Sequence, residues 1–286
     1  MLEKQEKGSI GCPSCGQWVS ISASKCEHCG HPNPGFFGYY RYLKMLDGDQ
    51  FANALLYICG GIYVLSLLID YSHIRWGLNF GFLGPSNKSL LLLGSGGAIP
   101  TILEGSWWTV FTAPLLHASI FHIAFNLMWV AQLAPMVHKF YGFSKLIILY
   151  ILSGVIGAIA TALAGVYLTG FLKGSQLSIG ASGAVFGLMG ALIVCGQQSG
   201  SKVLKDTVWQ YAIVGFVYGF IMPNVDNWAH FGGFIGGFLL PRIGWLSYKQ
   251  KETVSHYIFA VILILASVAA LAASVWKGIY VWHLFG

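Results

Sequence analysis

The sequence predicts an all-α polytopic membrane protein of seven spans, preceded by a small four-cysteine module. Three observations carry this. Of 286 residues, 56% are apolar and only 9% charged, whereas a soluble domain is about 25% charged. The charges fall in clusters, and the uncharged tracts between them hold the roughly 20 helical residues that cross about 30 Å of hydrocarbon. Four of the six cysteines form two Cys-x-x-Cys pairs within the first 30 residues.

The module comes first. Cys12-Pro-Ser-Cys15 and Cys26-Glu-His-Cys29 are each followed by a glycine, Gly16 and Gly30. A two-residue gap lets both thiolates face one tetrahedral Zn²⁺, and the glycine permits the turn that brings backbone amides toward the sulfurs. The competing reading is a pair of disulfides, which a reducing cytoplasm disfavours. Residues 1–35 are therefore expected to be a cytoplasmic zinc ribbon with Cys12, Cys15, Cys26 and Cys29 as ligands. So short a segment would draw most of its folding energy from the metal. Its role is open, with a cytoplasmic protein among the candidate partners. Cys59 and Cys195 lie inside spans and read as small packing residues.

After a linker at 36–50, the spans are expected at about residues 51–69, 114–137 and 146–169. A fourth runs from near Ser182 to before Lys202, and a fifth fits between Asp206 and Pro223. A sixth extends from near Asn227 to near Arg242, and a seventh covers about 254–276. These divide into a six-span core at 51–246 and a seventh helix with the C-terminus at 247–286.

Lys and Arg are retained in cytoplasmic loops. With the N-terminus inside, only Arg75, Lys88, Lys173 and Lys277 of the sixteen Lys and Arg fall outside, so seven spans put the C-terminus outside. No signal peptide is expected, because the first apolar run begins only near residue 51. The net charge of +6 reports topology and contact with anionic lipid rather than nucleic acid.

Polar residues at membrane depth are costly and point to function. The second span carries His117, His122 and Asn126, and His122 and Asn126, four apart, share a helical face. The fourth opens Gly180-Ala181-Ser182-Gly183, and the sixth runs Asp226-Asn227-Trp228-Ala229-His230. All three spans begin at the outer face, so these groups share one depth. Gly183 and Gly187 on one helix, and Gly233 and Gly237 on another, form stripes that let helix backbones approach closely in lipid. Each motif alone has a plain structural reading, such as a serine bonded back to its own helix. Their conjunction points to a serine nucleophile beside an imidazole base.

His-x-x-x-Asn, Gly-x-Ser-Gly and His-x-x-Gly-x-x-x-Gly in this order resemble the rhomboid intramembrane proteases over roughly residues 51–246. The resemblance implies a rhomboid-like six-helix core plus one C-terminal helix. It implies Ser182 as nucleophile and His230 as general base of a Ser-His dyad. His122, Asn126 and the Ser182 amide would bind the oxyanion, with His117 structural. The first loop, about residues 71–113, would be a partly embedded hairpin bracing the site. It departs from the family in reading Trp107-Trp108-Thr109, with threonine where arginine is usual.

The implied activity is endopeptidase cleavage of transmembrane segments without a catalytic cofactor, in the cytoplasmic membrane of a bacterium. Asp226 reads as an N-cap rather than a third acid. A rhomboid-like pseudoprotease that binds transmembrane clients, and a transporter using the same polar residues, are the competing classes.

Overall fold

The computed structural model describes the chain except residues 1–3, 13–14, 40–45, 78–80, 223–224 and 286, and the side chains of 281–285. Part of the expected linker thus lies outside the described residues. The N-terminal module is an antiparallel hairpin of β1 (Ser9–Gly11) and β2 (Trp18–Ser20), with Ile10 opposite Val19. Ile10, Val19 and Ile21 are buried with Cys12 and Cys26 in a core of their own. The expected linker opens as a short 3-10 turn, Phe36–Gly38. The Phe36 ring is buried and meets Tyr257 edge-on at 5.2 Å.

Seven long helical segments follow where seven spans were expected: α1 (Gly48–Ile69), α4 (Ile120–Tyr141), α5 (Phe143–Tyr167), α6 (Ser182–Ser199), α7 (Lys202–Ile221), α8 (Asn227–Leu239) and α9 (Val254–Phe285). Short polar residues start four of them. The side chains of Asp47, Ser119, Ser201 and Asp226 accept the N–H three residues on, at 2.8 to 3.3 Å, satisfying donors that lack an intrahelical acceptor.

Among the described residues, α1, α4, α5 and α9 are long and apolar enough to cross a membrane by themselves, with mean hydropathies of 2.0, 1.5, 2.4 and 2.8 over their most apolar stretches. The other three differ from a simple span. Residues 183–196 of α6 are buried throughout, so this helix is the axis of the bundle. At 13 residues, α8 is only about 20 Å long, and the expected sixth span is completed by a 3-10 turn at Leu240–Arg242. Its neighbours α5 and α6 shield it from lipid along the faces they pack. Outward from the core, α9 presents Val261, Ile262, Leu265 and Val268, each more than half exposed, as a surface bathed in acyl chains requires.

The tightest packing joins α6 to α8 and both to α5. A Cβ on Gly233 would overlap the Gly183 carbonyl, and one on Gly237 the Gly187 carbonyl. From the third helix, Gly157 stands where a Cβ would lie 2.5 Å from the Ala229 carbonyl. At the opposite end of the bundle Lys145 is fully buried. Its ammonium donates to the Ser247 carbonyl at 2.8 Å and to that of Gln250. Glu252 accepts the N–H of Ser144 at 2.5 Å, which ties the α4–α5 turn to the start of α9.

The first loop is a structured hairpin. It holds β3 (Arg75–Trp76) paired with β4 (Phe82–Gly84), then α2 (Asn87–Leu92), a π-turn at Ala98–Leu103 and α3 (Thr109–Thr112). Thr109, at the position where arginine is usual, is buried. Its hydroxyl donates to the Ser106 carbonyl at 2.8 Å and lies 2.8 Å from that of Thr101. A neutral hydroxyl cluster thus closes this turn of the loop.

Gly237→Val forces α6 and α8 apart, because the new methyls fall on backbone that has no rotamer to yield. Stability should drop by about 1–3 kcal/mol, read as a lowered unfolding midpoint in detergent. Gly60→Ala, with open space around its Cβ, should leave the midpoint unchanged or slightly raised. Equal midpoints for the two variants would contradict the packing account.

Candidate active site

Ser182 is the first residue of α6, partly exposed. The preceding loop is pinned to the first loop by a β-bridge. Gly96 donates to the Ser178 carbonyl at 2.9 Å and Ser178 to that of Gly96 at 2.8 Å. Further bonds run from Ala98 to the Ser175 carbonyl (3.0 Å) and from Gly180 to the Ala113 carbonyl (2.9 Å). The hairpin therefore sets the height at which α6 starts. Between this loop and the helices lies a cavity of about 10 Å³ lined by Ser178, Gly180, Gly183 and Ala229, room for about one water.

His230 is the fourth residue of α8 and is 5% exposed. Its imidazole stacks on Phe186 with ring centroids 4.3 Å apart and planes 18° from parallel. Phe186 is one turn below Ser182, on the same face of α6, so the stack brings the imidazole to the serine side of that helix. Among the described residues, no acid is hydrogen-bonded to the ring. One carboxylate oxygen of Asp226 accepts the N–H of Ala229 at 3.1 Å and the other accepts the Ser178 hydroxyl at 2.6 Å, while His230 Nδ1 has no hydrogen-bond partner. Asp226 is an N-cap, as expected from its position, and it additionally holds the serine loop.

His122 and Asn126 reach the same place from α4. His122 Nδ1 accepts the N–H of Ala118 at 3.2 Å, and a neutral imidazole that accepts at Nδ1 carries its proton on Nε2. That donor flanks the serine loop: a Cβ on Gly180 would lie 2.7 Å from His122 Nε2 and 3.8 Å from Asn126 Nδ2. The Asn126 amide also donates to the His122 carbonyl at 3.0 Å, which orients its second N–H. His117, 1% exposed, packs edge-on against His122 at 5.2 Å. Two side-chain donors therefore flank the loop that leads into Ser182, at the helix end whose first N–H groups lack intrahelical acceptors. Such a set can activate a serine for acyl transfer and bind the oxyanion that forms.

The structure packs Gly183 and Gly187 against Gly233 and Gly237, sets His122 and Asn126 beside Gly180 ahead of Ser182, and stacks His230 on Phe186 of the same helix as Ser182. Sequence reasoning missed three others. Phe186 carried a signal, an aromatic four residues after Ser182. Ser153, Gly157 and Thr161 repeat at four along α5, the stripe that admits a third helix to the α6–α8 contact. The Ser178–Asp226 bond joins residues 48 apart and has no sequence signature.

The cysteine module lies at the far end of the bundle. All four Sγ atoms fall within 4.8 Å of one another, with Cys12 to Cys29 at 3.8 Å and Cys15 to Cys26 at 3.7 Å. Four thiolates about 2.3 Å from a central Zn²⁺ define tetrahedral edges of about 3.8 Å, whereas a disulfide needs about 2.05 Å. The two halves repeat one turn: Gly16 donates to the Cys12 carbonyl and Gly30 to that of Cys26, both at 2.8 Å, at φ of 77° and 73°. The backbone N–H of His31, chiefly, draws the Cys29 thiol down to about 7, whereas at Cys15 the N–H of Gln17 is outweighed by desolvation and the neighbouring thiols, which push it up to about 11. The four cysteines can hold a metal ion.

Residues 104–250 match the model of the rhomboid domain. The chain is 31% identical over 170 residues to the Rhomboid protease GluP of Bacillus subtilis, an alignment covering 56% of this chain and 32% of that protein. It is 30% identical over 190 residues to RHOMBOID-like protein 4 of Arabidopsis thaliana, covering 63% and 46%. The Putative rhomboid protease YdcA of Bacillus subtilis is 33% identical over 159 residues, covering 53% and 72%. The chain thus spans less than half the length of the first two. With the helical core and a matched segment that takes in α4 through α8, the chain belongs to the rhomboid family.

Proposed function

We propose that this chain is an intramembrane serine endopeptidase that cleaves transmembrane segments of other membrane proteins with a Ser182–His230 dyad. The observation that carries the reading is the His230–Phe186 stack at 4.3 Å, which supplies the orientation that a third acid supplies in a triad. His230 takes the proton of Ser182 as the hydroxyl attacks the scissile carbonyl, then returns it to the leaving amine. Water enters and hydrolyses the resulting ester by the reverse proton path. His122 Nε2, the Asn126 amide and the Ser182 N–H stabilise the oxyanion, where one such donor is worth on the order of 3 kcal/mol. Substrate helices enter sideways from lipid and unwind at their outer ends. The names of GluP and YdcA as proteases, one of them putative, agree with this reading. Zn²⁺ is the proposed ion of the cysteine module, which would lie in the cytoplasm with the C-terminus outside.

Ser182→Ala and His230→Ala should each abolish cleavage of a model transmembrane substrate, and His230→Ala should also abolish labelling of Ser182 by a fluorophosphonate. A folded parent protein that neither labels nor cleaves would instead be a client-binding pseudoprotease.

Asp226→Asn keeps a capping oxygen and removes the charge. Activity within a few-fold of the parent is expected, and a loss of several thousand-fold would make Asp226 an electrostatic partner of His230.

Purified protein should contain about one equivalent of zinc by elemental analysis, and Cys26→Ser or removal of residues 1–35 should eliminate it. Cleavage of a short substrate in detergent should persist after the truncation. Disulfides trapped at these cysteines by rapid alkylation of cells would reverse the proposed orientation.

A further inference from the structure

A second cavity, of about 330 Å³, opens between the first loop and the seventh helix, away from Ser182 and His230. Its polar lining is Lys88, Ser95, Glu104, Ser106, Trp108 and Lys277, and Leu91 and Leu92 form an apolar wall. The volume is that of a small-molecule site, and the lining carries two ammonium groups against one carboxylate.

Three features identify what belongs there. Ser95 is 2% exposed and its hydroxyl has no hydrogen-bond partner, a costly state for a buried donor unless a ligand completes it. Lys277 holds Ser106 Oγ firmly at 2.6 Å but reaches Glu104 only at 3.3 Å (carbonyl) and 3.5 Å (carboxylate). A phosphate oxygen would replace those two long contacts with shorter charge-assisted ones. The depth is that of lipid headgroups, because the adjoining Trp107 and the first-loop Trp76 are 67% and 65% exposed, and exposed tryptophans mark the membrane–water boundary. Leu91 of the wall and Ile102 and Leu103, next to Glu104 in sequence, are 41%, 38% and 67% exposed, apolar surface for an acyl chain.

We propose that this cavity binds the phosphate headgroup of an anionic glycerophospholipid between the first loop and α9. Lys88 and Lys277 pair with the phosphate, Ser95 donates its hydroxyl, and the Glu104 carboxylate, half exposed, turns outward. The site adjoins the catalytic loop, since Ser95 directly precedes Gly96, which pairs with Ser178.

The test is native mass spectrometry of the full chain in detergent, titrated with dioleoylphosphatidylglycerol. One tightly retained lipid is expected, with affinity about tenfold weaker in Lys88→Gln and in Ser95→Ala, from the loss of one charge-assisted or buried hydrogen bond. Lys173→Gln, whose side chain is outside the cavity, should bind like the parent. Unchanged unfolding midpoints of the variants without added lipid would exclude misfolding as the cause. Dioleoylglycerol, which keeps the chains and lacks the phosphate, should not be retained, and millimolar inorganic phosphate should not displace the lipid. Equal affinity of the parent and both cavity variants would overturn the proposal, as would equal retention of dioleoylglycerol. Displacement by inorganic phosphate would make this a site for a free anion and overturn the assignment to lipid.

Discussion

Backbone contact between α6 and α8 is the constraint on which the rest of the molecule depends. The carbonyls of Gly183 and Gly187 occupy the space that side chains at 233 and 237 would fill, so the helices touch along their main chains. In lipid there is no hydrophobic force between apolar helices, and close backbone approach is a principal source of cohesion. Serine has a single-carbon side chain, so the proposed dyad depends on a crossing as close as this one. The same contact permits α8 to be short. With α5 and α6 packed against its main chain, 13 residues suffice where a lipid-facing span would need about 20.

In the proposed dyad the base needs orienting, and aromatic packing on Phe186 would replace a carboxylate there. Asp226 is near enough in sequence to have served. Both its oxygens are taken, by the N–H of Ala229 and by Ser178, so its charge is spent on the helix terminus and on the loop ahead of Ser182. One residue thus fixes the start of the His230 helix and the approach to the Ser182 helix.

Much of this was legible in the sequence because membranes simplify the code. Uncharged tracts marked all seven helices, and the polar residues at membrane depth proved to be neighbours. The i, i+4 spacing placed His122 and Asn126 on one face, and the Cys-x-x-Cys pairs announced a four-sulfur cluster. What stayed hidden depends on pairings between distant segments. The bridge between Gly96 and Ser178 and the hydroxyl cluster around Thr109 leave no periodic trace. The length of α8 was overestimated because hydropathy continues through Leu240 and Pro241, whereas proline and local backbone geometry end the α-helix at Leu239. Burial of Lys145 was equally unreadable, since a lysine at a span end ordinarily signals water.

The seventh helix touches both ends of the molecule. Near its start Tyr257 meets Phe36, just beyond the cysteine module. Seventeen residues on, Ser274 accepts the indole N–H of Trp108, and at twenty Lys277 donates to Ser106 in the first loop. An α-helix is stiff along its axis, and those twenty residues span about 30 Å. A load applied to the module at one end of this helix would be delivered, with little loss to bending, to the first loop at the other, which sets the height of Ser182. The helix outside the six-helix core thus couples the cysteine module to the loop that holds the segment ahead of Ser182.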